Sequence, residues 1–416
     1  MENRKVSCMY AIPCTPFQTE QGPEEIDLIK NKLQHNNSFK ILDFEKTKNK
    51  LHIKIFYKEN EYSLSISITE FSSENLKDFM YSHIFTEKEK EHIRDTKTAV
   101  LTELLCNGTP LNSYHLQIKI IAEILNKNLL AVYDSDSINV LSGKWVEQAA
   151  KSSVTPCPLY IFSIHAVPDK KGDFIWLHTH GLSRYGLNEL DILDSKPDFC
   201  IEHSLLLQNL ALNLLGGADK NCAYIGILED HTPIICSIIT YNDALNYYQK
   251  NNIGIPEALS PDNKHTDDSH LAVFVFTSIA EYKEKNYRHI SVFEKKKLEN
   301  PIYFISDIEM QRKKILAEER FAFVKSHFKN KASSVLVKIS IPVDKEFYSA
   351  ENEIEYIWFE LQKISDTELT VKSIQDAYYV KGIKKDTITK YNIEYMSDWI
   401  IYTGTEMITP DDVYRL

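Results

Sequence analysis

Glycine is scarce in this sequence, and the signatures of the common nucleotide enzymes are missing. Only 12 of the 416 residues are glycine, whereas about 7% is usual, and loops that cradle phosphates consume glycine. The chain contains no Walker loop, GxGxxG fingerprint, GxSxG elbow, HExxH motif or CxxC pair. Nucleotide enzymes of the common kinds are therefore not expected.

Excess positive charge and paired cysteines are also missing. The formal net charge is −11, from acids spread along the chain, which argues against a nucleic-acid partner and favours a basic one. The seven cysteines are scattered. Such usage predicts reduced, mostly buried thiols in a cytoplasmic protein rather than a disulfide or zinc framework.

Long apolar runs are absent as well. No run approaches the roughly 20 apolar residues that span a bilayer, so no membrane partner is expected. The first residues, MENRKVSCMYAIPCTPF, form a short apolar run interrupted by prolines. They predict a first strand rather than a secretory signal.

The patterns that are present predict an α+β protein of several domains, because 416 residues exceed what one core usually organises. Residues 1–86 are expected to form a small α+β domain, with a strand, a helix and three β-rich runs. Residues 87–304 are expected to form a second α+β domain. Its first segment, EKEKEHIRDTKTAVLTELL, predicts a helix, and two later strands should flank an Asp-Lys-Lys-Gly turn.

Residues 305–416 are expected to combine an amphipathic helix with a small β domain. The alternation in SSVLVKISIPV and EYIWFELQKI predicts two strands, and three shorter β-rich runs follow. Five short strands in so few residues suggest a small β-barrel-like domain or rolled sheet. The segment DIEMQRKKILAEERFAFVKSHF predicts a single helix whose apolar face carries Ile308, Ile315, Leu316, Ala322 and Phe323.

The stretch IWLHTHGLSRYGLNELDI, residues 175–192, is the most chemically suggestive part of the chain. On a strand, His178 and His180 would point to the same face, as in a zinc or iron site. Glu189 or Asp191, in a following helix-like segment, could supply the third ligand. The alternative is a hydrogen-bonded or solvated strand face followed by glycine turns. The HxH pattern is common, so the sequence favours this alternative and predicts neither a metal nor another cofactor.

Other polar groups carry weaker signals. The HTDDSH loop offers metal-binding groups, although such loops are usually only solvated. A base and a thiol nucleophile could be drawn from the histidine that follows an aspartate and from the isolated cysteines, but nothing in the sequence brings them together. The residues concerned are His265, Asp267, Asp268 and His270 in the loop, and Asp230 and His231 upstream.

An aromatic set occurs in the last region, formed by Trp358, Tyr378, Tyr379 and Trp399. Aromatic side chains on a small β scaffold can build a groove for a protein partner. Core packing explains most of this set equally well.

The C-terminal region resembles the bacterial YegJ-like family of unknown function, domain-of-unknown-function family 2314. The resemblance rests on the two strands above, on YYVKGIKKDTITKYNIEYMSDWIIY and on the final VYRL. Gly382, Asp386, Asp398 and Trp399 fall on the family pattern, whereas Lys385 replaces the usual turn glycine.

The histidine stretch resembles domain-of-unknown-function family 4026, whose members accompany such C-terminal modules. This resemblance implies that Gly181 serves a turn and that Glu189 holds a helix end or binds backbone. The matching residues are Thr179, Gly181, Leu182, Gly186, Glu189 and Leu190.

The leading functional hypothesis from the sequence is a cytoplasmic bacterial binding protein without catalysis, of an immunity or adaptor kind. It would use its acidic surface or its C-terminal groove against a protein partner. The alternative is a metal-dependent hydrolase built on His178, His180 and Glu189. A regulatory module that binds a small ligand is a third possibility.

Overall fold

The computed structural model divides the chain into two compact units. The first comprises residues 1–150 and 156–306, and the second comprises residues 151–155 and 307–416. The division at 306/307 lies next to the boundary expected at 304/305. The residues described are 6–16, 22–47, 49–74, 76, 80, 83–228, 230–248, 270–294, 302–329, 333–349, 353–404 and 406–416.

An antiparallel seven-stranded sheet organises the N-terminal part of the first unit. Its strands are β1 (Val6–Pro13), β2 (Lys40–Lys46), β3 (Lys50–Tyr57), β4 (Asn60–Glu70), β5 (Thr98–Leu105), β6 (Leu129–Asp134) and β7 (Asn139–Ser142), in the order β2-β3-β4-β5-β1-β6-β7. The accompanying helices are α1 (Gly22–Gln34), α2 (Glu87–Asp95), α3 (Pro110–Leu125) and α4 (Gly143–Lys151). Thr109 caps α3 and Pro110 opens it, as suits a helix start.

Two expectations for this region need correction. The helix expected through residue 105 ends at Asp95, after which Thr98–Leu105 forms β5. The buried, β-branched run that begins at Thr98 gains more from sheet pairing than from continuing a helix. The boundary expected between residues 86 and 87 falls inside this sheet, because β4 pairs with β5 along its length.

A second seven-stranded sheet completes the first unit. Its strands are β8 (Ser163–Pro168), β9 (Ile175–His180), β10 (Glu189–Ser195), β11 (Ala223–Ile227), β12 (Pro233–Thr240), β13 (His270–Phe276) and β14 (Ile302–Tyr303), in the order β14-β11-β12-β13-β10-β9-β8. Strands β10 and β13 are parallel, and the other pairs are antiparallel. The helices are α5 (Cys200–Leu215), α6 (Tyr241–Ala244) and α7 (Ile279–Lys283).

The helix-like segment expected after the histidines is strand β10. All seven of its residues are buried. A strand enclosed between two neighbours and covered on both faces loses the polar–apolar alternation by which a strand is recognised. The sequence therefore offered no period-two signal here.

The second unit contains an open six-stranded antiparallel sheet. Its strands are β15 (Ser333–Pro342), β16 (Ile354–Ile364), β17 (Glu368–Ser373), β18 (Ile388–Asn392), β19 (Met396–Thr403) and β20 (Glu406–Ile408), in the order β18-β17-β16-β15-β19-β20. The expected alternation is confirmed, since Val335, Val337, Ile339, Ile357 and Phe359 are all buried. The edge strands β18 and β20 do not pair with each other in this order, so the sheet is open rather than a closed barrel. The α+β, multi-domain fold class is confirmed.

The single amphipathic helix expected before this sheet is two helices, α8 (Asp307–Glu319) and α9 (Phe321–Phe328). The break falls at Arg320, which is buried and donates a hydrogen bond to the carbonyl of Pro410. Ile308, expected on the apolar face, is 68% exposed. The core contacts come instead from the second half of α8 and from α9, through Leu316, Ala317, Phe321 and Val324.

Candidate metal centre

Three histidine side chains converge on one face of the second sheet. His178 and His180 lie two residues apart on β9, and His165 on β8 is the direct cross-strand partner of His178. One potential ligand atom from each of the three lies within 4.8 Å of the others. His178 is 3% exposed, whereas His165 and His180 are half-buried.

The hairpin that brings the histidines together is built by its turn. As the sequence predicted, β8 and β9 flank the Asp-Lys-Lys-Gly turn. Asp169 Oδ1 accepts the backbone N–H of Asp173, and Gly172 adopts a φ of +75°. The turn fixes the register from Pro168 opposite Ile175 back to His165 opposite His178.

The spacing of the His178 and His180 nitrogens suits a shared metal ion. The Nε2 atoms of His178 and His180 are 3.1 Å apart. Two ligands about 2.0–2.1 Å from a tetrahedral zinc ion lie roughly 3.3 Å from each other. A hydrogen bond between two neutral imidazoles gives the same separation, so the pair alone does not define a metal site. The third imidazole is what makes the cluster a candidate centre.

A layer of polar and aromatic groups lies beside the histidines. The ring of Trp176 stacks on His178, with centroids 3.9 Å apart and an interplanar angle of 23°. The indole N–H of Trp176 donates to Asp191 at 3.0 Å, and His270 Nδ1 lies 3.2 Å from both oxygens of the same carboxylate. Asp191 is thus engaged by Trp176 and His270, which leaves it a supporting role rather than that of a ligand.

Glu189 is not the third ligand that the sequence suggested. Its Oε2 accepts the hydroxyl of Thr179 at 2.8 Å, and its Oε1 accepts the backbone N–H groups of Gly181 and Ser183, each at 2.9 Å. Binding backbone is one of the two roles that the family resemblance implied. The third histidine, His165, was missed, although counting back across the Asp-Lys-Lys-Gly turn would have placed it opposite His178.

The motif glycines shape the turn between β9 and β10. Gly181 has a φ of +109°, and a Cβ there would lie 2.8 Å from the carbonyl oxygen of Ile161. Gly186 has a φ of +80° at the end of the 3-10 turn Ser183–Tyr185. Both positions favour glycine for conformational reasons, and Gly181 does so for space as well.

Arg184, which the sequence reasoning did not single out, lies in that turn and is 2% exposed. Its Nη1 and Nη2 are each 2.6 Å from the carboxylate oxygens of Asp134, and Nη2 also donates to the carbonyl of Ile161 at 2.8 Å. Burial alone would lower the pKa of the guanidinium, but the attraction of Asp134 raises it well above its usual range. This bidentate charged pair, the Arg184–Asp134 fork, therefore joins the two sheets of the first unit.

The structure does not bring the weaker candidate residues together into one site. His265, Asp267 and Asp268 lie outside the described residues, and His270 contacts Asp191 as above. Asp230 Oδ1 accepts the N–H of Thr232 in a turn where His231 has a φ of +63°.

All seven cysteines are free thiols, as expected. Only Cys157 and Cys236 are buried and Cys14 is exposed, so the prediction that most of the thiols are buried is wrong. Burial raises the pKa of both Cys8 and Cys106 to about 11, which disfavours a nucleophilic thiolate.

The C-terminal aromatic set divides between core and surface. Trp399 is fully buried and donates its indole N–H to the carbonyl of Ala317 at 3.0 Å, so its expected place in a groove is wrong. Tyr378 is 78% exposed and Tyr379 is 43% exposed. Their backbone N–H groups both donate to Glu355 at 2.8 Å, which presents the two rings at the surface.

Two further motif positions and the third surface aromatic lie in the same domain. Trp358 is half-buried, with the ammonium of Lys338 5.5 Å from its ring centre. Gly382 adopts a φ of +85°, as suits a turn. Asp398 accepts the N–H of Trp399 at 2.9 Å, and burial raises the pKa of this carboxyl. These residues serve the local structure of the sheet and its loop.

Comparison with known proteins identifies two domains in the first unit. Residues 7–156 match the N-terminal domain, and residues 164–273 the C-terminal domain, of a protein family of unknown function, DUF4026. The second range contains all three histidines, Arg184 and Glu189, and apart from residues 151–155 both ranges lie within the first unit. No curated protein and no solved structure matches the chain significantly. Among the described residues, no helix is long and apolar enough to cross a membrane.

Proposed function

We propose that this chain, which belongs to the DUF4026 family, is a metal-binding protein whose centre consists of His165, His178 and His180. The observation that carries the proposal is the convergence of their three ligand atoms within 4.8 Å on adjacent strands. Two strands of a rigid sheet hold the ligands in place, which reduces the ordering cost of binding an ion.

The donor set indicates the class of metal. Neutral imidazoles suit zinc, copper, iron and nickel rather than calcium or magnesium. Three protein ligands leave a tetrahedral ion one position for water, the arrangement of catalytic rather than structural zinc sites. A bound zinc ion would lower the pKa of such a water, which is the chemistry of metal-dependent hydrolases. The hydrolase hypothesis therefore continues with His165 in place of Glu189.

The experiment is a metal analysis of the full chain, purified without a histidine tag or chelator and then equilibrated with zinc. We expect about one zinc ion per chain by mass spectrometry, and loss of that ion when His165, His178 and His180 are replaced by alanine. The double variant H35A/H52A, which removes two exposed histidines of the same unit, is the control and should keep the ion. Zinc retained by the triple variant, or a metal-free parent protein, would contradict the proposal.

Protein binding by the second unit is the second candidate function. It is favoured by the exposed tyrosines of the C-terminal sheet and its loop, Tyr356 at 41% and Tyr378 at 78% exposure. The chain as a whole carries a net charge of −11, which favours a basic protein as its partner. This is the binding role of an adaptor or immunity protein.

Chemical cross-linking in cell extract at near-physiological salt tests that role. A partner recovered with the parent protein should be lost with Y378A/Y379A and kept with the exposed-isoleucine control I308A. Equal recovery by all three proteins would count against this surface.

The identity of the C-terminal domain is a related proposal. Residues 305–416 are proposed to be a bacterial YegJ-like domain, supported by the positions of Gly382, Asp386 and Asp398. A cytoplasmic location is proposed on the seven free thiols. Fractionation of cells that express the full chain would test it, and recovery outside the cytoplasm would contradict it.

A further inference from the structure

The turn that follows His180 leads directly to the side chain that joins the two family domains. Arg184 lies four residues after His180 and forms its buried fork with Asp134, the last residue of β6. Asp134 belongs to the N-terminal family domain, whereas His180 belongs to the C-terminal one. A short segment thus connects a proposed metal ligand to the other domain.

The loop that follows β6 in the N-terminal domain, residues 134–137, contacts both strands that carry the histidines. Ser163, the cross-strand partner of His180, donates its hydroxyl to the carbonyl of Ser137 at 2.5 Å. A Cβ at Gly181 would lie 3.0 Å from the Cβ of Ser137. The ends of β8 and β9 therefore rest against residues 134–137.

The inner side of the turn is held by Glu189. Its Oε1 takes the N–H groups of Gly181 and Ser183, and Asp134 fixes the side chain of the next residue, Arg184. The backbone from His180 to Arg184 is thereby restrained on both sides. If the backbone at Arg184 is displaced, either the hydrogen bonds to Glu189 break or the backbone at His180 moves as well. Movement of that backbone displaces the imidazole of His180.

We propose that Arg184 is a positioning residue of the metal centre, so that the three histidines are in ligating geometry only while the two DUF4026 domains are packed through the Arg184–Asp134 fork. This inference rests on the proposed metal-binding function. Groups outside the ligand set that orient metal ligands commonly change affinity by about 10–100-fold when they are altered. A purely structural Arg184 would instead affect folding without a selective effect on the metal.

The chain offers a matched control. Arg312 in the second unit is also buried, at 5% exposure, and makes a bidentate pair with Asp411 at 2.9 and 2.8 Å. Lysine at either position keeps the charge and loses the fork. The variants R184K and R312K thus remove the same kind of interaction from different units.

The test measures zinc affinity by chelator competition, and the cobalt absorption spectrum, for the full-length parent, R184K and R312K. We expect both variants to unfold at lower temperature, but only R184K to bind zinc about tenfold or more weakly and to show an altered cobalt spectrum. Equal affinities for R184K and R312K would overturn the inference and leave the metal centre standing. A parent protein that binds no zinc would overturn both.

If R184K does not fold, E189Q gives the decision. Glutamine keeps the shape of Glu189 but loses its negative charge, which weakens the hydrogen bonds from the N–H groups of Gly181 and Ser183 and so loosens the same turn. The inference expects weaker zinc binding by E189Q than by R312K. An unchanged affinity in E189Q would overturn it.

Discussion

Trp176 lies flat against His178, and its indole N–H is bonded to Asp191. One side chain therefore contacts a proposed metal ligand with its ring and a buried carboxylate with its edge. Rings in such stacks restrict the rotation of the imidazole, and a positioned imidazole binds metal more tightly than a mobile one.

The variant W176F keeps an aromatic face against His178 and removes the indole donor. We expect zinc affinity to fall by roughly tenfold and the free energy of unfolding to fall by about 1–3 kcal/mol, because Asp191 loses one of its donors. Chelator competition and denaturant titration measure the two effects. Unchanged zinc affinity together with lower stability would show that Trp176 supports the core and not the ligand.

Gly181 is a position where any side chain should be costly. In G181A, the φ of +109° and the contact at 2.8 Å with the carbonyl of Ile161 should together cost about 2–4 kcal/mol. The control G172A has a φ of +75° and open space around its Cβ, so it should cost only about 1 kcal/mol. Denaturant midpoints compare the two, and equal losses would mean that the close approach at Gly181 is easily relieved.

The two tryptophans of the C-terminal sheet should differ sharply. W399F leaves a cavity in the core and removes the donor to the Ala317 carbonyl, so we expect a loss of about 2–4 kcal/mol. W358F, at a half-buried site, should change stability by no more than about 1 kcal/mol. Thermal unfolding of both variants gives the comparison. A larger loss in W358F would place the core on the other face of the sheet.

Acid should destabilise the protein partly through His115. Burial, with the nearby charges of Lys119 and Lys58, lowers its pKa to about 3 in the folded chain. The unfolded chain, with an ordinary histidine pKa of about 6.5, takes up a proton first as the pH falls. This contribution to stability is therefore fully present above about pH 6.5 and is lost as the pH falls toward 3.

The variant H115Q keeps polar contacts to Tyr57 and Ala149 without a titrating group. The slope of unfolding free energy against pH between 4 and 6 should become smaller by up to about 1.4 kcal/mol per pH unit. The control N37Q, at an exposed position without a titrating group, should leave the slope unchanged. Identical slopes in H115Q and the parent protein would contradict the assignment.

Local signals predicted much of this structure. The Asp-Lys-Lys-Gly turn predicted the β8–β9 hairpin, and clean alternation predicted β15 and β16 because one face of that sheet is buried. Strand β10 was not predicted, since burial on both faces removes the alternation of polar and apolar residues. Strand β5 was predicted as helix because its partners β4 and β1 are distant in sequence, and long-range pairing leaves no local pattern.

Only part of the candidate metal centre could be predicted from the sequence, for the same reason. His178 and His180 stood out because they share one strand, whereas His165 required the register of the hairpin. Arg184 could not be found, because its significance depends on Asp134, which lies in the other domain and 50 positions earlier.

Strands β8, β9 and β10 follow one another without interruption, and the partner of Arg184 precedes them all. On the ribosome, every group proposed to hold the metal and its supporting turn has been synthesised once Ser195 emerges. Local contacts of this kind form early, whereas β13 must wait for a long stretch of chain before it can join β10. On the proposal above, the centre is complete enough to take up an ion while the remainder of the sheet and residues 307–416 are still being made.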